Sequence, residues 1–479
     1  MDIKTSAPAK FRILSCPAED ILQALERECA NGGRMEMVYA HPRNGAPLEL
    51  RYLVNHAEAS QFAVITCEAI GPVPSMARRF PLLGWYEREI TDLYGLDFVD
   101  HPDAFSLIRQ EPAAADSPSL QSPDIQTLPF GPVRADVVES AEFTFYYAGE
   151  SIIHYHPRLF FKHRGMERRF EGLTPQTGVI FAERVSGIGS LAHALAYSLA
   201  CEQAAGCTAP LRAQQLRALL AELERIYNHL AYLGYLADTT TLKVGQAEGK
   251  LLAERAKQIN GRLTGSRFLR GIVTPGGLRR DIAVEAWLEV DLAALREEAE
   301  WYVHLLNEDN TFRDRLITTG HLDDNTAYDQ GATGPVARAS GVNRELRRDH
   351  PYAGYAGLAI PVPVRTEGDA DARFHVRVAE LFTSFDLITA ILRDLADGPI
   401  AVLCTPGPSA AGLGWAESPR GALFYAVHLD AAGRFERVKI KSPSFSNWRV
   451  FPYTVHNSNM MDYAINEASF GLSIAGCDR

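Results

Sequence analysis

The sequence predicts two architectures in one chain: an α+β region at the N-terminus, followed by a large, mainly helical domain with small sheets. Three observations carry this. Short alternating segments cluster before residue 108, a low-complexity stretch follows, and long segments of helical periodicity dominate beyond it. A chain of 479 residues is long enough for two or three domains.

In chain order, "DILQALERECA" reads as a short amphipathic helix. "RMEMVYAHP", "LELRYLVN" and "FAVITCEAI" read as strands, the first two by alternation. "WYEREITDLYG" reads as a helix stopped by Gly95. Residues 1–108 thus form the α+β domain, and the Pro/Ser/Ala-rich residues 109–127 a linker with little to bury. Residues 128–479 form the large domain. Its clearest helix places Leu216, Leu219, Leu220, Leu223, Ile226, Tyr227, Leu230 and Leu233 on one stripe. "VEAWLEVDLAALREEAEWYVHLL" and "VRVAELFTSFDLITAILRDLAD" are two further long helices, and "TPGGLRRD", "GATGPVARASG" and "ESPRGALF" are glycine-rich turns. The acidic face around Glu222, Glu224 and Glu297–Glu300 reads as solvated surface.

Composition narrows the function. The net charge of −11 disfavours a nonspecific nucleic-acid or anionic-membrane binder. No stretch is apolar for the roughly 18 residues that a membrane helix needs. The first residues lack the order of a secretory signal. Seven scattered cysteines, none in a Cys-x-x-Cys pair, point to a reducing compartment, the cytoplasm. They exclude a compact cysteine motif for zinc or iron–sulfur ligation. His154, His156 and His163 lie close in "HYHPRLFFKH", but no carboxylate stands at a suitable spacing to complete a metal site.

Two ordered sets of motifs bring a family into view. "ERE" (87–89), Asp92, "YGLDF" (94–98) and "HPD" (101–103) resemble the 30 kDa subunit of respiratory complex I. "GPV" (131–133), "HRGMER" (163–168), "ERVSGIGS" followed by His193 and Glu202, "TGSRF", "PGG", "GPVARASG", "PRG" (419–421), "PSFSN" and "ASFGLSIAGCDR" follow in order. This set resembles the large subunit of group 4, membrane-bound nickel–iron hydrogenases and the homologous 49 kDa subunit of complex I. The resemblance implies a hydrogenase large-subunit-like fold. It also implies an iron–sulfur small subunit holding its own cluster, a ferredoxin-like subunit and antiporter-like membrane subunits as partners. The chain would then sit peripherally on the inner face of the cell membrane.

In the hydrogenases, four cysteines from two Cys-x-x-Cys motifs hold the metals, because polarisable thiolates suit low-valent nickel and iron. In this sequence those four positions register on Ser186, Gly189, Ser473 and Gly476. Cys477 is displaced by one residue, and Gly471–Leu472 stands where the family has Asp-Pro. The chain stops at Arg479, where the mature end of such a hydrogenase would lie. The expectation is therefore that no nickel–iron cofactor is bound. Either Ser186 or Ser190 could cap the next helix, and the loop could equally keep a pocket function. The complex I quinone partners are also absent: Arg134 stands at the histidine position and Gly187 at the tyrosine position. A charged Arg134 leaves an anionic or carbonyl ligand conceivable.

The resemblance carries catalytic expectations to Glu167, Arg420, Arg134 and His193. Glu167 matches a proton-passing glutamate; in an apolar wall it could exchange protons near neutrality, or it could form a structural pair with Arg164 or Arg184. Arg420 matches the arginine overhanging the metals, and could instead be a satisfied loop arginine. His163, Arg184, Arg338 and Arg347 match positions that are more often structural. The implied function is a subunit of a membrane-associated, energy-converting oxidoreductase complex, serving in electron or proton transfer or coupling. A scaffold subunit is the alternative; an active hydrogenase or a quinone reductase fits the residues less well.

Overall fold

A computed structural model describes residues 10–43, 45–103, 105–108, 122, 124–133 and 139–479. Arg134 and most of the expected linker lie outside the described residues. The linker's last two residues already belong to a strand, Gln126–Phe130.

The first region is a four-stranded sheet with two helices. Its strands are β1 (Lys10–Ser15), β2 (Arg34–His41), β3 (Leu48–His56) and β4 (Gln61–Ala69), in the order β1-β4-β3-β2. β1 runs parallel to β4 and the other pairs are antiparallel. Helix α1 (Ile21–Ala30) and helix α2 (Gly84–Tyr94) match the expected segments. Gly95 ends α2 in the left-handed region at φ 70°, a conformation that costs a residue without Cβ least. β2 is buried along its whole length, on both faces. A half-exposed strand would alternate; this one is covered by the second region.

The second region begins with a meander of β5 (Gln126–Phe130), β6 (Glu142–Ala148) and β7 (Ser151–Arg158). Helices follow: α3 (Pro175–Ala182), α4 (Ser190–Ala205), α5 (Leu211–Thr239), α6 (Lys243–Thr264), α7 (Trp287–Glu308) and α8 (Ala370–Arg393). A second antiparallel sheet, β8 (Ala411–Ser418), β9 (Gly421–Leu429) and β10 (Phe435–Lys441), precedes the short helices α9 (Pro443–Val450), α10 (Tyr463–Phe470) and α11 (Ile474–Asp478). One apolar core runs from Ile21 to Cys477 through both regions. No helix among the described residues is long and apolar enough to cross a membrane.

Two packing features fix the site. The central helix α5 is buried on every side, not only on its leucine stripe. Helix α4 lies against β8, where glycines let the backbones touch: a Cβ on Gly414 would lie 2.0 Å from the Ala196 carbonyl oxygen. The solvated face expected at Glu222 and Glu224 is a correction. Both are buried, at 0% and 1% exposure, because α4, α8 and the 345–355 loop cover the flanks of α5. Glu297 and Glu300, on α7, are exposed as expected.

Candidate functional site

Three of the four positions that register on the metal ligands, Ser186, Ser473 and Gly476, come together, and Gly189 closes the turn that Ser186 opens. Ser186 is extended and leads into a single 3-10 turn, Gly187–Gly189, from which α4 starts. Ser473 is likewise extended and leads into α11. A Cβ on Gly476 would lie 3.3 Å from Ser473 Oγ and 3.5 Å from Ser186 Oγ. At Gly189 a Cβ would meet only the His193 ring, at 3.8 Å. The frame of two opposed turns is therefore present, with room for a side chain at Gly189 and a tight fit against Ser473 at Gly476.

The residues in that frame do not fit a nickel–iron centre. Two positions offer hydroxyls and two offer hydrogen, where soft metals need thiolates. Ser473 Oγ is already engaged, accepting from the Gly476 N–H at 3.0 Å. Cys477 is fully buried, and burial pushes its thiol well above the usual value, away from the thiolate form. No group of three His, Cys, Asp or Glu side chains among the described residues stands at metal-binding geometry. The histidines of "HYHPRLFFKH" part company: the His154 ring lies 5.2 Å from that of His456, while His163 Nδ1 donates to the Asp478 carbonyl at 2.8 Å.

Polar side chains lock the two turns together. Arg164 donates to the carbonyls of Arg184 (3.0 Å), Val185 (2.7 Å) and Ala475 (3.1 Å), one guanidinium across both turns. Arg420 Nε donates to the Gly471 carbonyl at 2.7 Å, and its Nη1 to Asn228 Oδ1 at 2.8 Å. Asn228 Nδ2 in turn donates to the Ile188 carbonyl at 2.9 Å. Arg420 is thus tied through Asn228 to the Gly187–Gly189 turn. Burial, with Arg377 nearby, lowers its pKa to about 10, so it stays charged. His193 Nδ1 sits 2.7 Å from the Tyr425 hydroxyl, and burial with Arg164 drives it down to about 3, so the ring is neutral.

The cap of α4 comes from an unexpected residue. Neither Ser186 nor Ser190 caps it: Ser190 Oγ donates back to the Gly187 carbonyl at 3.1 Å and accepts from Arg270 Nε at 3.0 Å. Glu224 on α5 supplies the acceptor instead, taking the N–H groups of Leu191 at 2.8 Å and Ala192 at 3.0 Å. Burial raises this carboxyl to about 7 against those two bonds. Sequence reasoning missed Glu224; the available signal was its position beside the leucine stripe, four residues before Asn228. Glu202, which follows His193 in the motif, pairs with Arg217 at 2.5 Å and accepts from the Gly276 N–H at 2.8 Å, holding the Pro-Gly-Gly turn.

Glu167 lies among cations, not in an apolar wall. It accepts from Arg437 at 2.8 Å, from the Ile440 N–H at 3.1 Å, and pairs with Lys439 at 3.1 Å and Arg479 at 3.3 Å. Neither Arg164 nor Arg184 is its partner. Lys439 and Arg479 also hold Glu89 of α2, at 2.5 and 2.8 Å. Burial pushes the Glu167 carboxyl up, but the three cations outweigh it and hold the group well below the usual carboxylate range. A similar cluster surrounds Arg347 and Arg338. Arg347 meets Glu222 at 2.9 Å and Glu345 at 2.9 Å; Arg338 meets Glu380 at 2.5 Å and Glu417 at 3.0 Å.

Comparison with known proteins places these features in order along the chain. The family model for the respiratory-chain NADH dehydrogenase 30 Kd subunit matches residues 15–119. The model for nickel-dependent hydrogenase matches 164–250, and that for the respiratory-chain NADH dehydrogenase 49 Kd subunit matches 252–410 and 404–479. Formate hydrogenlyase subunit 5 of Escherichia coli (strain K12) is 32% identical over 422 residues, covering 81% of this chain and 74% of that protein. The C/D subunit of NADH-quinone oxidoreductase from Cereibacter sphaeroides is 27% identical over 481 residues, covering 85% and 82%. Among solved structures, a chain of the membrane-bound sulfane sulfur reductase, an archaeal respiratory membrane complex, superposes with a TM-score of 0.70. It is 26% identical, and the match covers 74% of this chain and 99% of that one.

Proposed function

Because the chain belongs to the family that joins hydrogenase large subunits to the 49 kDa subunit of complex I, with a 30 kDa-subunit-like region fused before it, we propose that it is a coupling subunit of a membrane-associated, energy-converting oxidoreductase complex, without a nickel–iron centre of its own. The complex would resemble those that the relatives' names describe: formate hydrogenlyase, NADH-quinone oxidoreductase and a respiratory membrane complex. Its partners in this reading are an iron–sulfur small subunit, a ferredoxin-like subunit and antiporter-like membrane subunits. The chain itself lies peripherally on the inner face of the membrane.

One observation carries the reading: Ser186, Ser473 and Gly476 meet in space, with Gly189 in the same turn as Ser186, yet the four positions bear hydroxyls and hydrogens inside a braced frame. In that frame Glu224 is one carboxyl, with Asp478, that burial raises to about 7, where it would take up and release a proton near neutrality. The charge of Glu224 bears on the first N–H groups of α4, so its proton state is coupled to the Ser186–Gly189 turn. Arg420 and His193 position the two turns, and Glu167 anchors the second region to α2. Arg134 offers a permanent positive charge for an anionic or carbonyl group at the domain start.

A scaffold without chemistry is the second reading, favoured by the saturation of Glu167 and Arg420 with protein partners. The experiment is to substitute Glu224→Gln and Arg420→Lys in the native complex and measure assembly, electron transfer and nickel content. The coupling reading expects normal assembly, reduced turnover and no stoichiometric nickel. One nickel per chain sinks the metal-free reading, and full turnover in both variants decides for the scaffold.

A further inference from the structure

A second buried polar cluster lies where the first region meets the second, away from the frame described above. β2 contributes Arg34 and Glu36, α2 contributes Tyr86, β10 contributes Lys441 and α9 contributes Arg449. These side chains line a cavity of about 10 Å³, room for one small guest. Arg34 Nε, Tyr86 Oη and Arg449 Nη2 are buried with no hydrogen-bond partner among the described residues. Their residues are 6%, 2% and 8% exposed. Buried donors are rarely left unmet, so three around one cavity point to a missing acceptor.

The charge balance says which acceptor. Arg34 spends Nη2 on the backbone carbonyls of Ala327, Tyr328 and Ala332, at 3.3, 2.9 and 3.1 Å. Arg449 spends Nη1 on Gln330 Oε1 at 2.6 Å and on the Pro81 carbonyl at 2.5 Å. Those oxygens satisfy hydrogen bonds without cancelling charge. Among the described residues of the lining the only carboxylate is Glu36, and it is paired with Lys441. Three cations therefore face one anion. Burial depresses the pKa of all three cations, Arg449 to about 10, which marks positive charge short of compensation. A water molecule would find acceptors in this lining at Glu36, Gln330 and Ser446, but it would bring no charge. A monatomic anion accepts from every side and brings the missing charge.

We propose that this cavity binds a monovalent spherical anion, a halide such as chloride, through Arg34, Tyr86 and Arg449. The bound ion ties β2 and α2 to α9 and makes the junction of the two regions sensitive to the anion in solution. Anything that binds the folded state alone stabilises it by mass action, so the effect is measurable as stability.

The test uses the full chain. Thermal unfolding is followed in sodium chloride and in sodium gluconate at matched ionic strength, for the wild type and for Tyr86→Phe. That variant keeps the ring against Phe445, 4.8 Å away, and removes one donor. The expected result is a higher midpoint in chloride, with the chloride concentration needed in the variant raised on the order of tenfold. Crystals grown in bromide should show an anomalous peak inside the cavity. Equal midpoints in the two salts, or a cavity filled by water without a bromide signal, would overturn the proposal.

Discussion

Replacing Glu167 with glutamine tests whether this residue is an anchor or a proton carrier. In the wild type, Glu167 and Glu89 face Arg437, Lys439 and Arg479, and all five side chains are at most 10% exposed. The glutamine keeps the shape and one oxygen for the Ile440 N–H. Its amide turns a donor toward cations that already donate, and leaves three positive charges facing one carboxylate. Removing one partner from a buried ion pair typically costs about 3–5 kcal/mol, because the remaining charges stay buried and uncompensated. We expect a loss of that size, and Glu89→Gln should cost a similar amount. The double variant should lose more than the sum, since the two glutamates repel each other and removing both leaves three buried cations facing neither carboxylate.

The assay is urea unfolding of the full chain, followed by circular dichroism at neutral pH and repeated on acidification. Glu167 has a depressed pKa, so its contribution is complete above the ordinary glutamate range and fades as pH falls below it. The wild type should therefore lose stability faster than Glu167→Gln in acid, and the two curves should converge. A glutamine variant within about 1 kcal/mol of wild type, with parallel acid limbs, would refute the anchor role and return Glu167 to proton chemistry.

Glu224 carries the opposite sign. Its carboxyl is raised to about 7, so the folded state holds a proton that the unfolded state has released, and stability falls as pH rises from the ordinary glutamate value through 7. Glu224→Gln should flatten that part of the pH–stability curve by up to about 3 kcal/mol, read by unfolding at pH 5 and pH 8. Gly414→Ala places a methyl against the Ala196 carbonyl and the Ala200 N–H, with Cβ distances of 2.0 and 2.3 Å. It should lift α4 from β8 and cost at least about 1–3 kcal/mol, measured by the same unfolding assay. Introducing cysteine at Ser186, Gly189, Ser473 and Gly476 together should let the frame take up zinc or nickel in vitro, detected by equilibrium dialysis. The wild type should take up neither at those positions, and equal uptake by both proteins would count against the reading of the four positions.

The sequence was most legible where one residue decides one local outcome. Gly95 stops α2 because only a small backbone turns left-handed without cost, and the leucine stripe of α5 announces a helix by spacing alone. The motif register was also readable: Ser186 and Gly476 are brought together as their places in the two turns implied. What failed were inferences about surroundings. Periodicity reports the first apolar face of a helix, so Glu222 and Glu224, flanking that face on α5, read as solvated; a second layer of helices and loops covers them. Composition cannot say which charges meet: it offers Glu167 an apolar wall, while the three cations around it are Arg437 and Lys439 of β10 and Arg479. A serine before a helix is a good capping candidate by local rules, yet α4 is capped from α5 by a glutamate. Each failure has the same physical origin. Burying a charge is costly unless another charge or a set of hydrogen bonds meets it, and in this chain the compensating groups come from distant segments. Pairing of that kind depends on the assembled fold, which is why the frame was visible in the residues and the electrostatics inside it were not.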